Sequence, residues 1–478
     1  MDDNKDLALK RNLSLSIVIL ICIYLVASTS TNLIPSLLNY DSKRIMQSLL
    51  LISILTITWL YLRNNYLKTL QKVSLLSKGL MTLFLITGVI SSLYSNNNYS
   101  AALEVSLISL LYLATFSIMM SYLQNPLRFT HVIATSLIIL IFIQSTLVIT
   151  SYTAAITSSP SWHPFDLFQH FDNIRFFNQI QSWTLALIVL PIIIYADSKR
   201  SYFFLITMAC LWWLLFFASG SRGVMLSMAI ATLTTYIVYR KHASLWIKLQ
   251  ILSFIGGLIC YLILFIALPF YLHGNIAPDS ILRNVSSPGR IYLWQRAWEL
   301  LQNNFFLGIG PMNYACDANN SVGAHPHNSL IQIAVEWGVP IALATLFLFI
   351  YSVSSWIKKS LSTISLLHRT QVNIHISLFA ALACGACHSL FSGIIVMPAS
   401  QIFMILIIGW MLGIYYQNSK RVNRLMATGI LLLGLTICSA TIISIEVYQK
   451  VKVETYSFEI NERYFPRFWL EGKTCNSI

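Results

Sequence analysis

The 478-residue chain is 56% hydrophobic and only 10% charged, with a mean hydropathy of +0.68. A soluble domain carries about 25% charged residues, so this composition excludes an ordinary soluble enzyme and also a disordered or fibrous protein. The net charge of +14 would suggest nucleic acid as a partner of a soluble protein, but in a membrane protein such an excess follows from the positive-inside rule. We therefore predict an all-α polytopic membrane protein that binds no nucleic acid.

Apolar stretches long enough to cross a bilayer, about 20 residues each, recur along the chain and predict about 12–13 transmembrane helices. The thirteen stretches lie at 13–33, 46–62, 79–94, 101–123, 130–153, 182–196, 202–218, 224–239, 249–271, 328–356, 372–397, 401–417 and 426–445. The sixth and the eighth are short. The first lacks a signal-peptide cleavage pattern and runs straight into further spans.

Basic residues mark every second loop, beginning with Lys5, Lys10 and Arg11 ahead of the first span. Basic loops stay in the cytoplasm, so the N-terminus is predicted to be cytoplasmic. We predict a transmembrane domain over 1–445, which includes a large outer loop at about 272–327 with amphipathic helices. An odd number of spans then places a short tail, 446–478, on the outer face.

Between residues 79 and 449 the basic residues of the predicted outer face are all arginines, whereas the lysines fall on the cytoplasmic side. These arginines are Arg175, Arg222, Arg283, Arg290 and Arg296. Because the guanidinium fork matches phosphate oxygens bidentately, the set indicates an anion site. The alternative is pairing with nearby carboxylates, namely Asp166, Asp172, Asp279 and Glu299.

The first outer motif is a turn between spans seven and eight with the sequence SGSRG, residues 219–223. Glycine permits a tight turn, and Ser221 can cap the helix that follows. Free N–H groups at a helix start attract anions, and Arg222 stands at that start. The alternative is an arginine that only snorkels to the interface.

The second motif, SPGR at 287–290, starts a predicted amphipathic helix in the long outer loop. An apolar stripe at helical spacing suits the lipid interface, and it comprises Ile291, Trp294, Trp298 and Leu301. Arg290 and Arg296 lie elsewhere on this helix. The alternative is an interfacial anchor without chemistry.

The third motif, HPHNS at 325–329, opens the predicted tenth span. Pro, Asn and Ser are helix-start residues, so His325 and His327 are predicted at the outer membrane surface. A lone histidine is usually structural, but two at a helix start, in a loop with several arginines, are candidates for a base. Glu336, a little over two turns into the helix, could orient one of them.

The sequence CGACH at 384–388 matches the attachment motif of c-type haem, but it lies inside a predicted span, without room for a haem-binding domain. We interpret its small residues as helix-packing positions. The chain lacks zinc spacing, a phosphate-binding glycine loop and a dinucleotide fingerprint, so we predict no metal and no cofactor. Cys316 and Cys475, the two cysteines clearly outside the spans, could form a disulfide.

The three outer motifs, at 219–223, 287–311 and 325–340, together resemble the bacterial O-antigen ligase superfamily, and RFFNQIQSW at 175–183 is a weaker fourth element. That superfamily includes lipopolysaccharide O-antigen ligases, O-antigen polymerases and protein O-oligosaccharyltransferases that modify pilins. The resemblance implies a GT-C-like glycosyltransferase of the bacterial inner membrane with a periplasmic active site. Its donor would be a glycan linked to undecaprenyl diphosphate, without nucleotide sugar, metal or cofactor.

The resemblance also implies residue roles. The residues that would hold the diphosphate are Arg222 and Arg290, joined here by Arg175 and Arg296. The candidates for the base are His327 and, second, His325, with Ser221, Asn328 and Glu336 in support. Undecaprenyl diphosphate is already a good leaving group, so neutralising its charge matters most. The acceptor hydroxyl needs a base near neutral pH, and direct displacement would invert the anomeric centre.

The acceptor stays open among a lipid A–core sugar, a pilin Ser or Thr hydroxyl and, for a polymerase, another glycan chain. The predicted outer tail, which a twelve-span ligase ending inside would lack, slightly favours the protein-modifying branch. A transporter of the same lipid-linked glycan is a further alternative. It would be expected to show cations along a central cavity, broken helices and an internal repeat, whereas the polar groups here concentrate on the outer face.

Overall fold

A computed structural model describes residues 2–32, 34–158, 164–273, 288–317, 323–419, 427–454 and 466–472. The α-helices of this part are α1 Asp2–Ser30, α2 Asn39–Tyr61, α3 Arg63–Leu70, α4 Leu75–Leu93, α5 Asn98–Gln124, α6 Pro126–Ser158, α7 Ile174–Thr184, α8 Leu190–Tyr195, α9 Lys199–Ser219, α10 Arg222–Tyr239, α11 Ser244–Tyr261, α12 Leu268–His273, α13 Pro288–Asn303, α14 Ser329–Trp337, α15 Val339–Thr363, α16 Arg369–Ser389, α17 Pro398–Tyr416 and α18 Ala427–Glu454. No strand occurs among the residues described.

Eleven helical stretches in the described ranges are long and apolar enough to cross a membrane, which confirms the all-α polytopic fold. One of them, Arg222–Leu272, has 51 residues, far more than one crossing needs. It contains α10 and α11, and it folds back on itself. Cys210 of α9 contacts Gly256, and Phe217 contacts Tyr261 further along, so α9 and α11 pack on each other in parallel, and α10, which connects them in the chain, packs on α16.

The predicted sixth span, 182–196, is not one continuous helix. α7 ends at Thr184 and α8 begins at Leu190, and Pro191 lacks the N–H that an unbroken helix would use there. The interruption is fully buried. Trp246 and Gln250 of α11 donate to the carbonyl groups of residues 185–186. Such a break is tolerated at membrane depth because the surrounding protein satisfies the backbone.

The predicted tenth span, 328–356, is also two helices rather than one. α14 ends at Trp337 and α15 begins at Val339, and the membrane-crossing stretch is Val339–Leu366. Gly338 between them has a φ of +92°, and a Cβ there would lie 2.1 Å from the carbonyl oxygen of Phe306. The histidine motif therefore opens a short helix at the end of the bundle, not a spanning one.

The helix ends that carry the outer motifs meet at one end of the bundle, which we call the site end. The Ser329 hydroxyl at the start of α14 donates to the carbonyl group of Ser389 at the end of α16. His388 of α16 also contacts Gly223 in the first turn of α10. The basic residues Arg240 and Lys241 follow the opposite end of α10.

α13 is amphipathic as predicted. Ile291 and Trp298 on its apolar stripe are 60% and 64% exposed. The opposite face buries Leu293 and Ala297 against Tyr314 and Val335. This helix thus presents an apolar surface outward while its other side is part of the folded loop.

The described part of the predicted outer tail folds back into the protein. We call residues 466–472 the C-terminal strap. Phe468, Trp469 and Leu470 are at most 4% exposed, and α18 before it continues to Glu454, past the predicted boundary at 445. Among the described cysteines Cys316 is disulfide-bonded, whereas Cys475, its proposed partner, lies outside the described residues.

Candidate active site

Three helices that start at the site end have side-chain caps. Asn173 caps α7, Ser221 caps α10 and Asn328 caps α14, each by accepting from backbone N–H groups of the first turn. The caps on Ser221 and Asn328 are those expected from the motifs. Because the first turn of a helix carries partial positive charge, helix starts gathered in one place favour an anion.

His388, at the end of α16, joins two of these helices. Its Nδ1 lies 2.5 Å from the hydroxyl oxygen of Ser182 in α7. The Ser182 hydroxyl donates to the carbonyl group of Asn178 at 3.0 Å, so it accepts from Nδ1 of His388. The other ring nitrogen, Nε2, lies 3.1 Å from the place of a Cβ on Gly223. His388 thereby links the last turn of α7 to the first turn of α10.

The rest of the CGACH sequence packs as predicted. A Cβ on Gly385 would lie 2.1 Å from the ring of Trp183, which shows that α7 and α16 approach closely there. Cys384 and Cys387 are free thiols, and Cys384 is buried. These residues are therefore helix-packing positions.

The histidine loop lies directly before α14. His325 is 2% exposed, and its Nε2 lies 2.0 Å from the place of a Cβ on Gly393. His327 is half-buried and has a φ of +56°, a left-handed conformation that is uncommon outside glycine. The indole N–H of Trp294 donates to the carbonyl group of Pro326 at 2.9 Å. α13 therefore supports the loop from one side.

Two of the predicted arginines lie within electrostatic range of His327. Burial first, and then the positive charges of Arg175 and Arg290, lower the pKa of His327 to about 4. The pKa of Arg290 is itself lowered, by burial and then by Arg175. The imidazole is therefore neutral at pH 7, with two guanidinium groups close enough to act on its charge.

No carboxylate balances this pair within the described part of the chain. The side chains of Arg175 and Arg290 make no ion pair there, and no acidic group contributes to the pKa shift of either Arg290 or His327. Asp172, one of the carboxylates considered as a partner, instead accepts from the backbone N–H groups of Asn39 and Tyr40. Among the described residues, the positive charges of Arg175 and Arg290 are therefore not paired with a carboxylate.

Arg222 lies at the edge of this group. It is the first residue of α10 and is exposed. Its neighbour Gly223 contacts His388, which lies within electrostatic range of Arg290. The first turn of α10 consequently borders the same space as the two arginines.

Arg296 differs from the other predicted arginines. It forms a bidentate ion pair with Asp317, with distances of 2.5 and 2.8 Å, and a further contact of 2.7 Å with Glu299. The hydrogen bonds that it donates to these carboxylates raise its pKa. Its guanidinium group is already occupied. The alternative that these arginines pair with carboxylates therefore holds for Arg296.

Glu336 does not contact a histidine, contrary to the expectation that it could orient one. It is fully buried at the end of α14 and lies 2.6 Å from Arg467 of the C-terminal strap. Burial raises the pKa of Glu336 to about 7. The backbone N–H of Gly310 in the preceding turn donates to its carbonyl oxygen at 3.1 Å.

Arg44 and Arg467 are two buried cations at the site end that the sequence interpretation left out. Each is 1% exposed. Arg44 stands in a predicted outer loop, where the positive-inside rule disfavours a cation. That violation is the signal that could have identified it, whereas Arg467 is ordinary in an outer tail with mixed charge.

Comparison with protein families agrees with the resemblance drawn from the motifs. None of the curated proteins compared with the chain matches it significantly. Residues 203–346 match the O-antigen ligase family model, a range from α9 into α15 that includes Arg222, Arg290 and both loop histidines. The match indicates a multi-pass membrane enzyme of the O-antigen ligase or polymerase type, a glycosyltransferase whose substrate is a lipid-linked glycan.

Proposed function

We propose that the chain transfers a glycan from undecaprenyl diphosphate to an acceptor hydroxyl at the periplasmic face of the bacterial inner membrane. One observation carries the proposal, namely that Arg175 and Arg290 lie within electrostatic range of His327 and have no carboxylate partner in the described part of the chain. Such a site needs an anion to balance it and a proton donor to react with it. A sugar diphosphate and a hydroxyl group supply both.

The arginines are assigned to the donor. A diphosphate bound by Arg175 and Arg290 offsets their mutual repulsion, which lowers the pKa of Arg290 in addition to burial, and each guanidinium can bind two of its oxygens. Arg222 at the first turn of α10 is assigned to the same anion, together with the N–H groups of that turn. Arg296 is left out because Asp317 and Glu299 occupy it.

His327 is assigned as the general base. The acceptor oxygen forms a bond to the anomeric carbon while the bond from that carbon to the phosphate oxygen breaks. The hydroxyl proton passes to His327, and the diphosphate leaves as an anion held by the arginines. A single displacement of this kind inverts the anomeric configuration.

The exposed apolar stripe of α13 supports a lipid-linked donor. Ile291 and Trp298 face outward, and Arg290 lies on the first turn of the same helix. A helix of this kind sits at the lipid interface. A polyprenyl chain in the membrane can thus place its diphosphate at Arg290 without leaving the bilayer.

A transporter would also fit a cationic outer site, and the interrupted helix α7–α8 is a feature of transporters. Here, however, the interruption is packed in protein, with its carbonyl groups bonded to Trp246 and Gln250. The charged candidates cluster at one end of the bundle rather than along its length. Transfer is therefore the favoured function.

Reconstitution in vesicles with an undecaprenyl-diphosphate-linked glycan tests the proposal. The assay offers three acceptors separately: lipid A–core, a pilin and a glycan oligomer. Transfer to one of them is expected. The final span Gly429–Lys452 is absent from a ligase that ends inside, so the pilin is the first acceptor to test. Movement of the glycan across the bilayer without transfer would contradict the proposal.

A further inference from the structure

The C-terminal strap is bound mainly through its backbone, at the start of α2. The guanidinium group of Arg44 donates to the carbonyl oxygens of Phe468 and Arg467 at 3.0 and 3.1 Å. The backbone N–H of Leu470 donates to Asp41 at 2.7 Å. A buried polar group needs hydrogen-bond partners, and carbonyl groups of the strap supply two of those of Arg44. The strap therefore has a defined position on the protein.

Arg467 connects the strap to two other elements. Its guanidinium lies 2.6 Å from Glu336 in α14 and 3.3 Å from Glu104 in α5. With the side-chain amide of Gln332 oriented to satisfy its neighbours, that amide oxygen accepts from the same group at 3.0 Å. Two of these three partners are on α14, the helix that begins directly after the histidine loop.

The strap also lies close to the loop itself. Pro466 and Arg467 are near enough to His325 to shift its pKa, although neither ring nitrogen has a hydrogen-bond partner among the described residues. Gly393 packs directly against the ring. His325 is therefore enclosed by the loop that precedes α17, with the strap nearby.

The conformation of His327 needs such support. A non-glycine residue in the left-handed region is strained and persists only where its surroundings hold it. The carbonyl group of its neighbour Pro326 accepts from Trp294, and the ring of His325 packs against Gly393 close to the strap. Release of His325 would let the loop relax and turn His327 away from Arg175 and Arg290.

We propose that the C-terminal strap is part of the active site and that Arg467 is a positioning residue for the proposed base. It fixes α14, the helix that begins directly after the histidine loop, through Glu336 and Gln332, so that His327 stays near the donor arginines. This inference rests on the proposed function. It does not make Arg467 a ligand of the donor, because its guanidinium is already occupied by two carboxylates.

A purely stabilising role accounts less well for this choice of residue. A buried ion pair is often no more stabilising than well-packed apolar side chains, and this one uses two carboxylates for one guanidinium. What the fork of an arginine adds is fixed geometry toward several partners at once. Loss of that geometry should therefore affect the histidine loop before it affects the fold.

The test compares full-length Arg467→Lys and Arg467→Gln with the wild-type protein in the transfer assay. Arg467→Lys keeps the charge and so tests geometry even if Arg467→Gln does not reach the membrane. We expect kcat to fall at least fivefold while the KM for the donor stays within twofold. We also expect the pKa on the acid limb of kcat/KM to rise, because a relaxed loop hydrates His327, which a simple loss of folded protein would not cause.

Labelling with diethyl pyrocarbonate, read by peptide mass spectrometry, gives a result that does not depend on activity. His325 should be unmodified in the wild type and modified in both variants, whereas Arg128→Lys, at an exposed position in the first turn of α6, should match the wild type throughout. Unchanged labelling together with unchanged kcat would overturn the strap proposal. A wild-type protein that transfers nothing would instead refute the proposed function, and the labelling would still decide the role of the strap.

Discussion

The rings of His325 and His327 are 4.2 Å apart between centroids and inclined at 63°. Their surroundings nevertheless differ, because His325 is 2% exposed and His327 is half-buried beside two arginines. Burial lowers the pKa of His325 well below its ordinary value, and it has no route to an acceptor from its closed position. The arrangement favours His327 as the base and His325 as its support.

The first prediction concerns the base. His327→Ala should lower the rate of glycan transfer by about 10²–10⁴-fold, the usual contribution of a general base, while the protein stays in the membrane at wild-type abundance. Transfer from a lipid-linked donor in vesicles measures the rate. His242→Ala, at an exposed position beyond the other end of α10, is the control and should keep full activity.

The outcome for His325→Ala separates the two histidines. It should impair transfer less than His327→Ala does, because it leaves the base in place and removes only its support. Full activity in His327→Ala, with loss in His325→Ala, would reverse the assignment.

The second prediction concerns pH. The pKa of His327 is about 4 because of burial first and the charges of Arg175 and Arg290 second. Its active form is neutral, so wild-type kcat/KM should persist as the pH falls toward that value. Arg175→Gln removes one positive charge and should therefore raise the pKa, so that activity is lost at a higher pH.

A profile of kcat/KM between about pH 4 and pH 9 reports this pKa of the free enzyme. In the wild type the acid limb of kcat should lie at a higher pH than that of kcat/KM, because a bound diphosphate neutralises the arginines. An acid limb that moves to lower pH in Arg175→Gln would contradict the placement of this charge beside the base.

Much of this site follows from local sequence. The caps at Ser221 and Asn328 and the exposed stripe of α13 depend only on residue type and spacing, and both were predictable. The grouping of Arg290 with the histidine loop was predicted because their motifs follow each other along the chain and both lie on the predicted outer face. The motifs could place these residues on one side of the membrane because charge asymmetry reports topology.

The features that escaped prediction depend on contacts between distant segments. Arg296 and Asp317 pair across a turn, and Arg467 meets Glu336 from 131 positions away. Which of several arginines is neutralised is decided by such pairs, and composition cannot reveal it. The interruption between α7 and α8 was missed for a related reason. Its sequence is as apolar as a span, and although Pro191 lies in the first turn of α8, the groups on α11 that satisfy the freed carbonyl groups are distant in sequence.

The third prediction contrasts two arginines. Arg222→Ala should raise the KM for the donor at least tenfold, and Arg222→Lys should not restore it, because a point charge lacks the bidentate fork. Arg296→Lys should leave the donor KM within twofold and lower the thermal stability, since it weakens the pair with Asp317. Equal rescue of Arg222→Ala by lysine would mean that charge alone matters at the start of α10.

The fourth prediction tests the support of the histidine loop from the side opposite the strap. In Gly393→Ala the new Cβ would lie 2.0 Å from Nε2 of His325, so the ring must move, and His327 moves with it. We expect kcat to fall more than tenfold with little change in donor KM. Gly434→Ala, where no atom lies within 4 Å of the new Cβ, should keep wild-type activity.

The double variant Gly393→Ala with His325→Ala distinguishes steric displacement from loss of fold. Removing the imidazole removes the collision, so the double variant should transfer glycan as fast as His325→Ala alone, and faster than Gly393→Ala. Such non-additivity is expected only for residues in direct contact. If the losses of transfer rate in the two single variants instead add up in the double variant, Gly393 does not act through His325. The loop before α17 would then have no part in holding the base.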